Sequence, residues 1–119
     1  MSNLMSTYNI QFLMKSINGK YRKTMYPVNK VLNRFITDFK TPEEVNDFLL
    51  TPLNSVIGGA SSSENLVTES MVSAQIASDN SELFRNPDYD PTSTPDFSLP
   101  TQGLLGIAEA WLNYITITI

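Results

Sequence analysis

The hydrophobic period of this chain switches at Pro27 from that of a strand to that of a helix, which limits the folds open to it. Before the switch, Tyr8, Ile10, Phe12 and Met14 alternate with Asn9, Gln11 and Lys15, the pattern of a strand with one buried face. Asn18-Gly19 follows, and a two-residue type I′ turn needs positive φ at both of its positions, which these two residues tolerate. The return strand then runs Lys20–Tyr26, setting Phe12 opposite Met25 and placing the like charges Lys15 and Arg22 opposite each other. After Pro27, Val28, Val31, Leu32, Phe35, Ile36 and Phe39 recur at helical spacing. They predict an amphipathic helix over 28–39. Six such side chains contribute about 1.5–3 kcal/mol each on full burial, so this helix belongs in the core against the hairpin.

Thr41-Pro42-Glu43-Glu44 has the form of a helix start, with Thr as N-cap, Pro at the first position and acids near the positive dipole end. Glu44 also stands three residues after Thr41, as a capping box requires. Val45, Phe48 and Leu49 give this helix a narrow apolar stripe, and Pro52 is expected to end it by about Leu50. Gly58 to Ser63 reads as a flexible segment, and 58–65 is expected as a surface loop.

Met71 to Ala77 reads as a strand with Val72, Ala74 and Ile76 on one face. Ser78 to Ser81 is the expected turn, and Glu82 to Arg85 the returning strand. Residues 86–100 hold Pro87, Pro91, Pro95 and Pro100 and are expected as an extended surface loop, because proline blocks both helix and central strand. Leu104, Ile107, Ala108, Trp111, Leu112 and Ile115 then mark a helix over about 101–115. Trp111 is expected as a core anchor. Ile115 to Ile119 alternates and fits either an edge strand or a frayed tail. The sum is an α+β fold: antiparallel hairpins packed on two or three helices in a single domain, the size natural for 119 residues.

Composition narrows the chemistry. The chain has no cysteine and no histidine, which removes disulfides, thiolate metal sites and every nucleophile–histidine pair. No Walker, dinucleotide or nucleophile-elbow motif occurs. Glu43 and Asp47 share one helical face, but a catalytic carboxylate pair needs apolar burial to separate its two pKa values, and a solvated helix face needs nothing more. The expectation is a non-enzyme with no catalytic residue, no cofactor and no metal. No apolar run approaches a membrane span, and 1–7, expected to be disordered, lacks the features of a secretory signal. A cytoplasmic protein is therefore expected.

Charge is segregated along the chain. Residues 1–40 carry seven bases and one acid, a net of +6. Residues 41–119 carry eleven acids and Arg85 alone as a base, a net of −10. An acidic surface steers a basic partner and repels wrong ones, although the two segments also suit mutual attraction within the fold. Glu43 and Glu44 are accounted for by the helix start. The acids left for a partner are Asp79 and Glu82 at the second hairpin, and Asp88, Asp90 and Asp96 around Tyr89 in the proline-rich loop. That loop is equally a plain connector. The basic hairpin, with Tyr21 and Tyr26 among Lys15, Lys20, Arg22 and Lys23, offers phosphate tracking with stacking. The acidic whole, with pI about 4.6, makes nucleic acid an unlikely partner.

The order of the C-terminal half also carries a resemblance. A hairpin, VSAQIASDNSELFRN, leads into PDYDPTSTPDFSLPT and then into an amphipathic helix, LLGIAEAWLNYI, bearing one Trp. Over about residues 70–115 this pattern resembles immunity proteins of bacterial contact-dependent growth inhibition and related polymorphic-toxin systems. The resemblance implies a cytosolic antidote that binds a cognate toxin domain, often a nuclease with a basic cleft, and blocks it one-to-one. It transfers no contact residue. A generic protein-interaction module is the alternative from composition alone.

Overall fold

The computed structural model describes residues 11–17, 19–26, 30–69, 71–85 and 94–116. Strands β1 (Gln11–Ile17) and β2 (Lys20–Tyr26) pair antiparallel, with Phe12 opposite Met25 and Lys15 opposite Arg22. Gly19 supplies the positive φ of the turn, +80°. The expected strand residues Tyr8 to Ile10 and the turn residue Asn18 lie outside the described residues.

Helix α1 (Lys30–Thr37) buries Val31, Leu32, Phe35 and Ile36, and Phe39 just beyond it is buried as well. Val28, the first member of the predicted stripe, lies outside the described residues. Thr41 caps the next helix through Glu44 N–H→Thr41 Oγ1, 3.1 Å. The reciprocal arm of the expected capping box reaches one residue further back, to Lys40 N–H, at 2.8 Å.

Pro52 does not end this helix, contrary to the expectation from sequence. Helix α2 (Pro42–Val45) continues through a π-helical turn (Asn46–Leu50) into α3 (Thr51–Ile57). Proline removes the N–H that would bond four residues back. Here Thr51 N–H instead reaches five residues back to Asn46 O, and Thr51 Oγ1 donates to the same carbonyl at 2.9 Å. Pro52 then falls in the first turn of α3, where its missing N–H is not required. The helix stops at Gly59, φ +85°. There Gly59 N–H→Val56 O and Ala60 N–H→Ser55 O form a Schellman closure.

The remaining strands form one antiparallel sheet in sequence order: β3 (Ser63–Val67), β4 (Ser73–Ala77), β5 (Asn80–Phe84) and β6 (Phe97–Pro100). Two stretches expected as loop are therefore partly strand. In the predicted 58–65 loop, Ser63 opens β3, an edge strand whose burial alternates only weakly. In the predicted 86–100 loop, 97–100 is the other edge, where a strand-ending Pro100 is tolerated because no further strand needs its N–H. Residues 86–93 lie outside the described residues. The β4–β5 turn is also tighter than expected. Ile76 pairs with Ser81, so Ser81 belongs to β5 and only Ser78 and Asp79 make the connection.

Ala74, Ile76, Leu83 and Leu99 share the inner face of this sheet and are buried. Against them pack Leu104, Ile107, Ala108 and Trp111 of α4 (Thr101–Thr116), a core that also takes in Leu49, Leu53 and Val56. Trp111 is 2% exposed, the anchor its place on the stripe predicts. Its ring lies 5.6 Å from that of Phe12, which brings the first hairpin onto α4. Ile115 and Thr116 are helical, so the alternating C-terminal residues do not begin a strand at Ile115. Residues 117–119 lie outside the described residues.

Candidate partner-binding surface

The segregation of charge along the chain becomes a segregation between structural units. Lys15, Lys20, Arg22 and Lys23 lie on β1 and β2, and Lys30 and Arg34 on α1. The four-stranded sheet and its described connections carry Glu64, Glu69, Asp79, Glu82 and Asp96 against Arg85 alone.

Each expected contact residue has a different situation. Glu82 sits at the middle of β5, in a cross-strand row with Asn65, Gln75 and Ser98. By alternation this row faces away from the helices. Asp79 is exposed in the β4–β5 turn, and its main-chain carbonyl accepts from Thr101 N at 3.3 Å. The turn is held there by buried hydroxyls: Ser81 Oγ lies 2.7 Å from Thr101 Oγ1, and Thr101 Oγ1 donates to Ala77 O. Because Thr101 donates to the carbonyl, Ser81 is the donor to Thr101.

Asp96 is engaged within the chain. Its Oδ2 accepts from Arg85 N at 2.8 Å, and its Oδ1 lies 3.7 Å from Arg85 Nε. It closes the base of the proline-rich connection and neutralises the sheet's one guanidinium. Asp88, Tyr89 and Asp90 lie outside the described residues. Asp79 and Asp96 stand at opposite ends of β5, roughly 17 Å apart at strand rise. The described acids thus suit a broad complementary surface better than a chelating pocket. Among the described residues no group of acids is placed to hold a metal ion, and no helix is long and apolar enough to cross a membrane.

Sequence reasoning did not single out the β3–β4 connection. Met71 has φ +67° and is 52% exposed, and Val67 at the end of β3 is 59% exposed. Between them Glu69 bonds Lys40 Nζ at 2.8 Å. The only signal available in the sequence was the short spacing between two strands, and β3 was too polar to be recognised as one. Comparison with models of known protein families, with curated proteins and with solved structures gave no match.

Proposed function

We propose that this chain is a non-catalytic, cytoplasmic binding protein that neutralises a cognate toxin domain, a basic nuclease, by one-to-one association. The observation that carries the reading is the charge of the four-stranded sheet with its described connections: five acids against Arg85. Asp96 is tied to Arg85 and Glu69 to Lys40, and Glu64, Asp79 and Glu82 make the rest of the acidic surface. A surface of one sign raises the rate of encounter with an oppositely charged partner and discriminates against others. A nuclease cleft, which must hold a polyanion, presents that opposite sign. The lack of histidine and cysteine favours binding over catalysis, and the immunity-protein resemblance supplies the class of partner.

The basic β1–β2 hairpin supports a second reading, contact with a nucleic acid through Lys15, Lys20, Arg22 and Lys23. The two separate in one experiment. Full-length tagged protein is expected to co-purify one-to-one with a basic nuclease domain at moderate salt and to suppress its activity. Recovery of nucleic acid instead, released as salt rises, overturns the toxin reading in favour of the second.

A further inference from the structure

The two edges of the four-stranded sheet differ in what they offer a further strand. β6 ends in Pro100, which has no N–H for a neighbour to accept. β3 contains neither proline nor lysine, the residues that commonly blunt a sheet edge. The direction of its bonding follows from Thr68 N–H→Val72 O, 2.9 Å, just past its end. Thr68 bonds towards β4, so alternation turns the main-chain groups of Leu66 and Glu64 towards β4 as well. Asn65 and Val67 are left with N–H and C=O pointing off the sheet. Ser61 Oγ caps the Ser63 carbonyl at 3.1 Å. Among the described residues, nothing bonds the outward groups of Asn65 and Val67, and both residues are exposed. Four main-chain groups thus stand in strand register on an open edge, in a class that is elsewhere almost always paired.

The side chains set what kind of strand fits there. Glu64 and Leu66 are half-buried on the helix side of β3. Leu66 packs against the core, and among the described residues no ion pair joins Glu64. Beside a strand bonded to Asn65 and Val67, both would occupy non-hydrogen-bonded positions, where facing side chains approach most closely. A second copy pairing through β3 would join two acidic sheets and bring both Glu64 carboxylates onto one face. We infer that β3 instead receives an extended segment of the partner protein as a fifth, antiparallel strand, bonded to Asn65 and Val67. The segment carries an apolar residue opposite Leu66 and a lysine or arginine opposite Glu64. The inference rests on the reading of the chain as a binding protein. An antiparallel course repeats the other pairings of the sheet, and it puts the apolar residue two positions before the base in the partner's sequence. Main-chain bonds supply affinity in this mode, and alternate side chains supply specificity.

The test uses the domain recovered by co-purification, identified by mass and then produced separately. Asn65→Pro deletes an outward N–H but no bond to β4, and an edge strand tolerates proline at such a position. Affinity for the recovered domain is expected to fall at least about tenfold, because the added strand loses a main-chain bond and meets the ring. Asn65→Ala keeps the N–H and should bind within about twofold of the wild type. Glu64→Lys sets like charges opposite each other and should weaken binding about tenfold. Amide hydrogen exchange reads the same edge without a variant. Asn65 and Val67 should exchange rapidly in the free protein and at least about tenfold more slowly in the complex. Unchanged affinity in Asn65→Pro, or no added protection at these two amides, overturns the strand addition while leaving the binding function standing. Failure to recover any stoichiometric partner overturns both. If the wild type sediments as a dimer and Asn65→Pro as a monomer, the occupant is a second copy and the inference is overturned.

Discussion

Trp111 donates its indole Nε1–H to the main-chain carbonyl of Phe39 over 2.8 Å, a buried bond between residues 72 positions apart. Phe39 lies two residues beyond the end of α1, in the connection to the next helix. The bond therefore satisfies a buried connection carbonyl, which has no helical partner, with a side chain from the far end of the chain. Trp111→Phe keeps the ring but leaves that carbonyl buried and unpaired. Urea denaturation should show a loss of about 2–4 kcal/mol. A loss below about 1 kcal/mol would mean that the bond is dispensable.

The hydroxyl chain Ser81–Thr101–Ala77 makes a similar demand. Both hydroxyl-bearing residues are fully buried. Thr101→Val preserves shape but strands the Ala77 carbonyl and the Ser81 hydroxyl in an apolar setting. It should cost about 2–4 kcal/mol, whereas Thr101→Ser should cost less than half as much. Equal costs for the two variants would show that the methyl, not the hydroxyl, matters.

Pro52 yields the opposite expectation. A proline inside a regular helix costs about 3 kcal/mol, so its removal there would stabilise strongly. Because the π-helical turn shifts the bonding upstream and Pro52 lies in the first turn of α3, Pro52→Ala should change stability by less than about 1 kcal/mol. A gain near 3 kcal/mol in thermal or urea unfolding would contradict this account of the turn.

Glu82 and Asp96 are both acids of the sheet, yet they should respond differently. Glu82 lies in the row facing away from the helices, so Glu82→Lys should leave stability within about 0.5 kcal/mol. It should slow association with the basic partner at low salt, and the slowing should fade as salt rises. Asp96→Ala removes two contacts to Arg85 and should cost about 1 kcal/mol of stability. Stopped-flow association and thermal unfolding of both variants distinguish a steering acid from a loop-closing one. An association rate unchanged in Glu82→Lys would remove that face from the interface.

Much of the fold was legible because its signals are local. The Asn18-Gly19 pair set the register of the first hairpin, and the stripe from Val31 to Phe39 placed its own residues in the core. The stripe of α4 identified Trp111. Where the sequence misled, the deciding partner was distant. Ser63 to Val67 are too polar to read as a strand, and become one because β4 supplies the ladder and Leu66 meets the core. Phe97 to Pro100 sit among prolines, and become a strand because β5 pairs with them and Leu99 is buried.

The candidate surface divides in the same way. The surplus of acid after Lys40 is a property of the sequence alone, as is the absence of histidine and cysteine, because composition needs no coordinates. Which acids remain open to a partner was decided by tertiary contacts, which committed Asp96 to Arg85 and set Glu82 among Asn65, Gln75 and Ser98. The left-handed Met71 likewise arises only once Thr68 and Val72 pair across the turn. Periodicity and composition report what each segment prefers by itself. Pairing, capping and exposure depend on residues brought together from far along the chain, and only the folded structure sets those.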